Sequence, residues 1–241
     1  MSDLRTEFHS ELTEVRDEVA LLGATVIELI PRVTAILLEQ DLEGAEYVLR
    51  GDDEIDARAV AVEEHALKLL ALQQPMAGDL RNLAAALKLA PEIERSADLC
   101  CNICEAARRI YGHSLDPKLR GIVQAMSDQS QQEYKRVIEA YIASDEVGAS
   151  AIDDMDDLLD DLHRKLIEQI FESHAAGTID LQVAVQMAMV ARFYERLGDH
   201  AVNISQRVLY ITTGWLPEHD SARRHAERLA RTGDPGDEGA G

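Results

Sequence analysis

Carboxylates four residues apart recur in this chain as Asp52 and Asp56, Glu94 and Asp98, Asp153 and Asp157, and Glu195 and Asp199. On an α-helix such a pair is separated by roughly 40° around the axis, so both acids stand on one face. Two such pairs on facing helices form an oxygen-rich set of four ligands, which Mg²⁺, Mn²⁺, Fe or Zn²⁺ accept. Di-iron bundles use related Glu and His spacing on facing helices. The stripes extend further, to Asn203 and Gln206 beyond Glu195 and Asp199, and to Asn102 and Glu105 beyond Glu94 and Asp98. Measured against Val190, Phe193, Leu197, Ile204 and Val208 as the buried set, Glu195 and Asp199 face away from the core. A plain solvated helix face is the alternative, but like charges at this spacing repel, and a bound cation or a basic partner would offset them.

In the run Asp153, Asp154, Asp156, Asp157, Asp160 and Asp161 the register is open. A buried stripe of Met155, Leu159, Leu162 and Leu166 puts Asp153, Asp157 and Asp160 on the opposite face, with Asp156 as the alternative. Arg95 and Arg196 follow the glutamates and suit structural ion pairs better than anion binding. His200 suits packing better than ligation. Cys100, Cys101 and Cys104 lie within about one helical turn, with no fourth ligand nearby in sequence, and read as small packing residues. No phosphate-binding glycine loop, nucleophile elbow or H-E-x-x-H zinc motif occurs, so no nucleophile or general base is marked.

These acids need helices to hold them, and helical periodicity runs almost end to end. Turn chemistry predicts six long helices: 4–38 with a kink at Pro31, 41–72, one from just after Pro75 to Tyr111, one from Asp116-Pro117 to Ala143, one from Asp145 to about His174, and 178–213. An internal repeat relates the third helix to the sixth. Asp79-Leu80, Glu94-Arg95, Asp98 and Asn102-Ile103 return as Asp180-Leu181, Glu195-Arg196, Asp199 and Asn203-Ile204, each at one constant offset. The expected fold is all-α: two tandem three-helix bundles, six long antiparallel helices, with residues 1–112 in the first, 113–214 in the second and a disordered tail over 215–241.

Composition agrees. In 241 residues there are 24 Lys+Arg against 45 Asp+Glu, a net charge of −21, which argues against nucleic-acid binding. Charges interrupt the apolar runs before they reach the length of a membrane span. No signal peptide is visible at the start, and three clustered cysteines without distant partners suit a reducing cytoplasm.

At its repeated element the chain resembles the PhoU family, accessory regulators of high-affinity phosphate transport. The resemblance rests on Gln74-Pro75-Met76-Ala77-Gly78-Asp79-Leu80-Arg81, on Glu94 to Asp98 with Asn102-Ile103, and on Glu195-Arg196-Leu197-Gly198-Asp199-His200-Ala201-Val202-Asn203-Ile204. It implies a cytoplasmic, often dimeric protein without enzymatic activity. Such a protein represses phosphate uptake and the phosphate-starvation response by linking the ATPase subunit of the phosphate ABC transporter to a sensor histidine kinase. Some members hold multinuclear iron or zinc clusters, with Mn or Mg as alternatives here. Carried over, that implicates Asp52, Asp56, Glu94 and Asp98 in one site and Asp153, Asp157, Glu195 and Asp199 in the other. A metal-dependent phosphatase-like hydrolase is the alternative activity. Three departures from the family pattern stand out: Pro91 inside the third helix, Ser96-Ala97 where an apolar residue and glycine are usual, and Gln182 where arginine is usual. Together they weaken the case for metal at the first site more than at the second.

Overall fold

The computed structural model describes residues 2–215, with side chains from Arg5 onward. The expected tail, apart from Trp215, lies outside the described residues. The helices are α1 (Ser2–Glu39), α2 (Leu42–Gln73), α3 (Gly78–Arg109), α4 (Pro117–Ala143), α5 (Glu146–Ser150), α6 (Ile152–Ala175) and α7 (Leu181–Thr213), with no strand among the described residues.

Acidic caps start four of the helices. The side chain of Asp41 accepts from the Gly44 N–H, Asp116 from Lys118 and Leu119 ahead of Pro117, Asp145 from Gly148, and Asp180 from Val183. The α2–α3 turn is sharper than the proline alone predicts. Gln74 and Ala77 both adopt positive φ (47° and 49°), which delays α3 to Gly78. Similarly, α7 starts after Asp180 rather than at Thr178. Both α1 and α3 continue helically through Pro31 and Pro91. The expected fifth helix is broken at Ala151 into α5 and α6, just beyond the point where Arg136 on α4 pairs with the α5 cap Asp145 at 3.2 Å.

Within the first repeat α1, α2 and α3 pack on one another, and within the second α4, α6 and α7 do, with α5 against α4 and α7. The two triples meet where α1 lies on α4 and α3 on α7, so one continuous apolar cluster spans both. Each fully buried Leu, Ile or Val in it contributes roughly 1.5–3 kcal/mol. Polar contacts also cross between the triples. Thr34 on α1 meets Tyr194 of α7 at 2.6 Å and Ser127 of α4 at 2.7 Å, and the Tyr134 hydroxyl on α4 donates to Ser96 on α3. One expectation is corrected here: α1 does contain a stretch long and apolar enough to cross a membrane by length and composition. Its Val19, Leu22, Val26, Ile30, Val33 and Leu37 are buried in the bundle core instead.

Burial reveals the true register of the repeat. Buried residues of α3 and α7 match at a spacing of 101, as in Leu89/Val190, Ile93/Tyr194 and Ile103/Ile204. Those of the other helices match at 104: Val48/Ile152, Ile55/Leu159, Val62/Leu166 and Ala66/Ile170 for α2 and α6, and Val19/Val123, Ile30/Tyr134 and Val33/Val137 for α1 and α4. The capping aspartates Asp41 and Asp145 share the longer spacing.

Candidate metal centres

The shift in register changes one pair of candidate ligands. Asp52 and Asp56 correspond to Asp156 and Asp160, not to Asp153 and Asp157. Seen down α6, Asp157 points roughly 160° away from the buried Leu159 direction and Asp153 roughly 120°, whereas Asp156 is offset by only about 60°. Asp153, Asp157 and Asp160 are all exposed, and Asp160 lies about 100° from Leu159, so the repeat register and the half-buried Asp156 separate the two pairs. The constant offset of the third and sixth helices misleads here because the run is so rich in aspartate that either spacing finds a pair.

The first centre lies in the seam between α2 and α3. Carboxylate oxygens of Asp52, Asp56 and Asp98 all lie within 4.8 Å of one another, close enough to share one ion. Glu94, one turn earlier on α3, belongs to the same field. Burial, then Asp98 and Asp56, push its carboxyl above the ordinary range. Asp98 is raised by burial and by Asp52 and Asp56, and Asp56 by burial and by Asp52 and Asp53. Asp56 Oδ1 is buried and makes no hydrogen bond. The Cys101 thiol, 7% exposed, donates to Asp52 Oδ1 at 3.3 Å and puts sulfur at the inner edge of the seam.

The second candidate lies in the equivalent seam between α6 and α7, where, among the described residues, no three carboxylates come within 4.8 Å of one another. Gly198 is essential to its shape, because a Cβ there would run into Asp156 Oδ1, come within 2.7 Å of Leu159 Cδ2 and stand 3.2 Å from Glu133 Oε2. Burial first, then Asp160, Asp199, Asp153 and Glu195, raise Asp156 to about 7. Glu195 is raised by burial and Asp199; it is paired through Oε1 with Arg192, while its Oε2 is buried without a hydrogen bond. Its side chain is only 15% exposed, so it does not face freely outward as the periodicity predicts.

Sequence reasoning missed Glu133 on α4. It is fully buried beneath the second seam, and burial raises it to about 8, with Asp156 and Asp160 adding to the shift. The signal was available: Glu133 falls in step with Met126, Ser130, Tyr134 and Val137 on the buried stripe of α4. At the corresponding place in α1 stands Leu29.

The remaining candidates resolve as structural groups. Arg95 pairs with Glu92 at 3.4 Å, and all three cysteines are free and buried. His200 Nδ1 meets Glu92 Oε2 at 2.7 Å, and Asn203 donates to the same oxygen at 3.1 Å, so these two motif residues fasten α7 to α3 rather than extend the acidic stripe. Burial would raise Glu92, but the bonds from His200 and Asn203 outweigh it and hold its carboxyl below the usual range.

Two stretches of the chain, residues 19–107 and 123–208, match the PhoU domain family, one in each repeat. The chain belongs to the PhoU family. Its relatives include the phosphate-specific transport system accessory protein PhoU homolog 1 of Mycobacterium tuberculosis, 32% identical over 225 residues that cover 90% of this chain and 98% of that protein. A PhoU homolog of Aquifex aeolicus is 30% identical over 219 residues, covering 90% and 98%. The crystal structure of the phosphate transport system regulatory protein PhoU from Streptococcus pneumoniae superposes with a TM-score of 0.80 at 24% identity, covering 87% of this chain and 98% of that one. That likeness confirms the helical PhoU fold. The two acidic seams of this chain lie one within each matched stretch.

Proposed function

We propose that this chain is a non-enzymatic regulatory accessory protein of phosphate transport, restraining phosphate uptake and the phosphate-starvation response. The names of its relatives support the transport role. In this reading it works in the cytoplasm, as a homodimer, between the ATPase subunit of a phosphate ABC transporter and a sensor histidine kinase. The carrying observation is the pair of acidic seams at equivalent places in the two repeats. Within each, carboxylates crowd against one another, and buried oxygens lack hydrogen-bond donors.

A divalent cation fits this donor set. In the first seam Asp52, Asp56, Asp98 and Glu94 would hold it, and in the second Asp156, Asp160, Glu195 and Asp199. Fe or Zn in multinuclear form, or Mn or Mg, would supply positive charge that turns a repulsive strip into a defined docking surface. The protein's own groups do the rest. Gly198 lets α6 approach α7 closely, and the Glu92–His200–Asn203 tie holds the two bundles in register. Metal-dependent hydrolysis, in which metal-activated water is the nucleophile, is the other activity such a centre suggests.

The test is binding of the purified transporter ATPase subunit to metal-loaded wild type and to Asp52→Asn/Asp98→Asn/Asp156→Asn/Glu195→Gln, with p-nitrophenyl phosphate turnover followed in parallel. The expected result is metal-dependent binding that the quadruple variant loses, with no turnover by either protein. Binding that ignores both metal and the substitutions, or turnover that needs Asp199, would overturn the reading.

A further inference from the structure

Four carboxylates in each seam follow from the repeat, but Glu133 does not. It arises from α4, the helix beneath the second seam, and its carboxyl group is fully buried. Gln129 holds one end: its amide nitrogen donates to Glu133 Oε1 at 2.9 Å and to Met155 O at 2.8 Å. The other oxygen, Oε2, makes no hydrogen bond and lies with Asp156 Oδ1 in the cradle left by the missing side chain of Gly198. The charges acting on Glu133 are Asp156 and Asp160, both of its own sign. A buried acid with a bare oxygen, facing other acids, is costly unless it meets a cation or keeps its proton. The fold does not demand it, because Leu29 fills the equivalent position in the first repeat.

We propose that Glu133 is a fifth carboxylate ligand that closes the second seam from below, making it the harder of two unequal cation sites. This rests on the metal reading of the seams and adds their inequality. The second seam offers oxygen from Glu133, Asp156, Asp160, Glu195 and Asp199, a set suited to Mn²⁺, Mg²⁺ or Fe²⁺. The first, where Asp52, Asp56 and Asp98 already lie within 4.8 Å of one another, holds no fully buried carboxylate and has the Cys101 sulfur at its inner edge. Ala97 stands there in place of Gly198, so α3 lacks the cradle that lets Asp156 and Glu133 converge on α7.

The test is Mn²⁺ binding, read from the electron paramagnetic resonance of the free ion. It uses the full chain carrying Asp52→Asn/Asp98→Asn, so that the second seam alone reports. Adding Glu133→Gln should weaken Mn²⁺ binding by about tenfold or more. Glu133→Leu, the residue type of the first repeat, should do the same. Both metal-free variants should melt no lower than their parent, because each removes a buried acid, which separates loss of binding from loss of fold. Unchanged Mn²⁺ affinity in both variants would overturn the role of Glu133 and leave the seam's metal reading intact. A parent that binds no Mn²⁺ would overturn both.

Discussion

The two acidic seams occupy equivalent places in a duplicated fold, yet different residues lie beneath them. At the inner edge of the α2–α3 seam is the Cys101 thiol, with Leu29 at the repeat position of Glu133; under the α6–α7 seam is the buried Glu133 itself, with Gly198 where the first repeat has Ala97. The outer carboxylates repeat because they lie on matched helix faces. The inner residues diverged, and they set how deeply each cluster is desolvated. Duplication therefore conserved the outline of two sites while letting their chemistry separate.

The largest consequence concerns pH. Glu133 carries an ordinary carboxyl pKa near 4.5 when unfolded and one raised to about 8 when folded, and Asp156 is raised from 3.8 to about 7. Between those values the native state binds more protons than the unfolded one, so each rise in pH lowers stability. The contribution is complete below the unfolded values and lost as pH climbs through the folded ones. Metal-free protein should lose about 2–4 kcal/mol of stability between pH 5 and pH 8, chiefly through Glu133 because solvent screens the half-buried Asp156, and Glu133→Gln should flatten much of that slope in urea melts. A slope unchanged by Glu133→Gln, and abolished instead by Asp52→Asn/Asp98→Asn, would reverse the comparison between the seams.

A smaller effect should separate Gly198 from Ala97. Gly198→Ala drives a methyl group into Asp156 and Leu159 and should cost about 1–3 kcal/mol in thermal melts, the range for overpacking. Ala97→Gly should cost about 1 kcal/mol from helix propensity and an emptied methyl site, without disturbing any carboxylate. Equal changes in metal affinity from both would show that Gly198 does not shape the second seam.

The smallest effect concerns the thiols. Burial raises Cys104 to about 12 and Cys100 and Cys101 further still, with Asp52 adding to the shift of Cys101. Folded protein at pH 8 should therefore resist iodoacetamide and react at all three positions once unfolded in urea. Rapid labelling of Cys101 alone in native protein would show that the first seam opens more readily than the second.

Much of this was legible in the chain. Capping aspartates at 41, 116, 145 and 180 and the glycine at 214 mark helix ends by local chemistry, so the helices were readable to within a few residues. The Glu-x-x-x-Asp pairs at 94 and 195 were readable because their surroundings repeat without a gap. The α6 pair was not, because six aspartates in nine positions fit two registers, and only burial of Ile152, Leu159 and Leu166 separates them. The break at Ala151 and the positive φ at Gln74 and Ala77 carry no glycine or proline at those positions to mark them in the sequence. Glu133 escaped notice because a lone glutamate among glutamines reads as surface until its place on the α4 stripe is traced.

Metal content per chain tests the central claim most directly, comparing wild type with Asp156→Asn/Asp160→Asn and with Asp153→Asn/Asp157→Asn after purification without a metal-binding tag. The account predicts that wild type carries metal, that the first variant loses the second seam's share while keeping that of the first, and that the second variant matches wild type. Metal lost from Asp153→Asn/Asp157→Asn but retained in Asp156→Asn/Asp160→Asn, or absent from a correctly folded wild type, would contradict it.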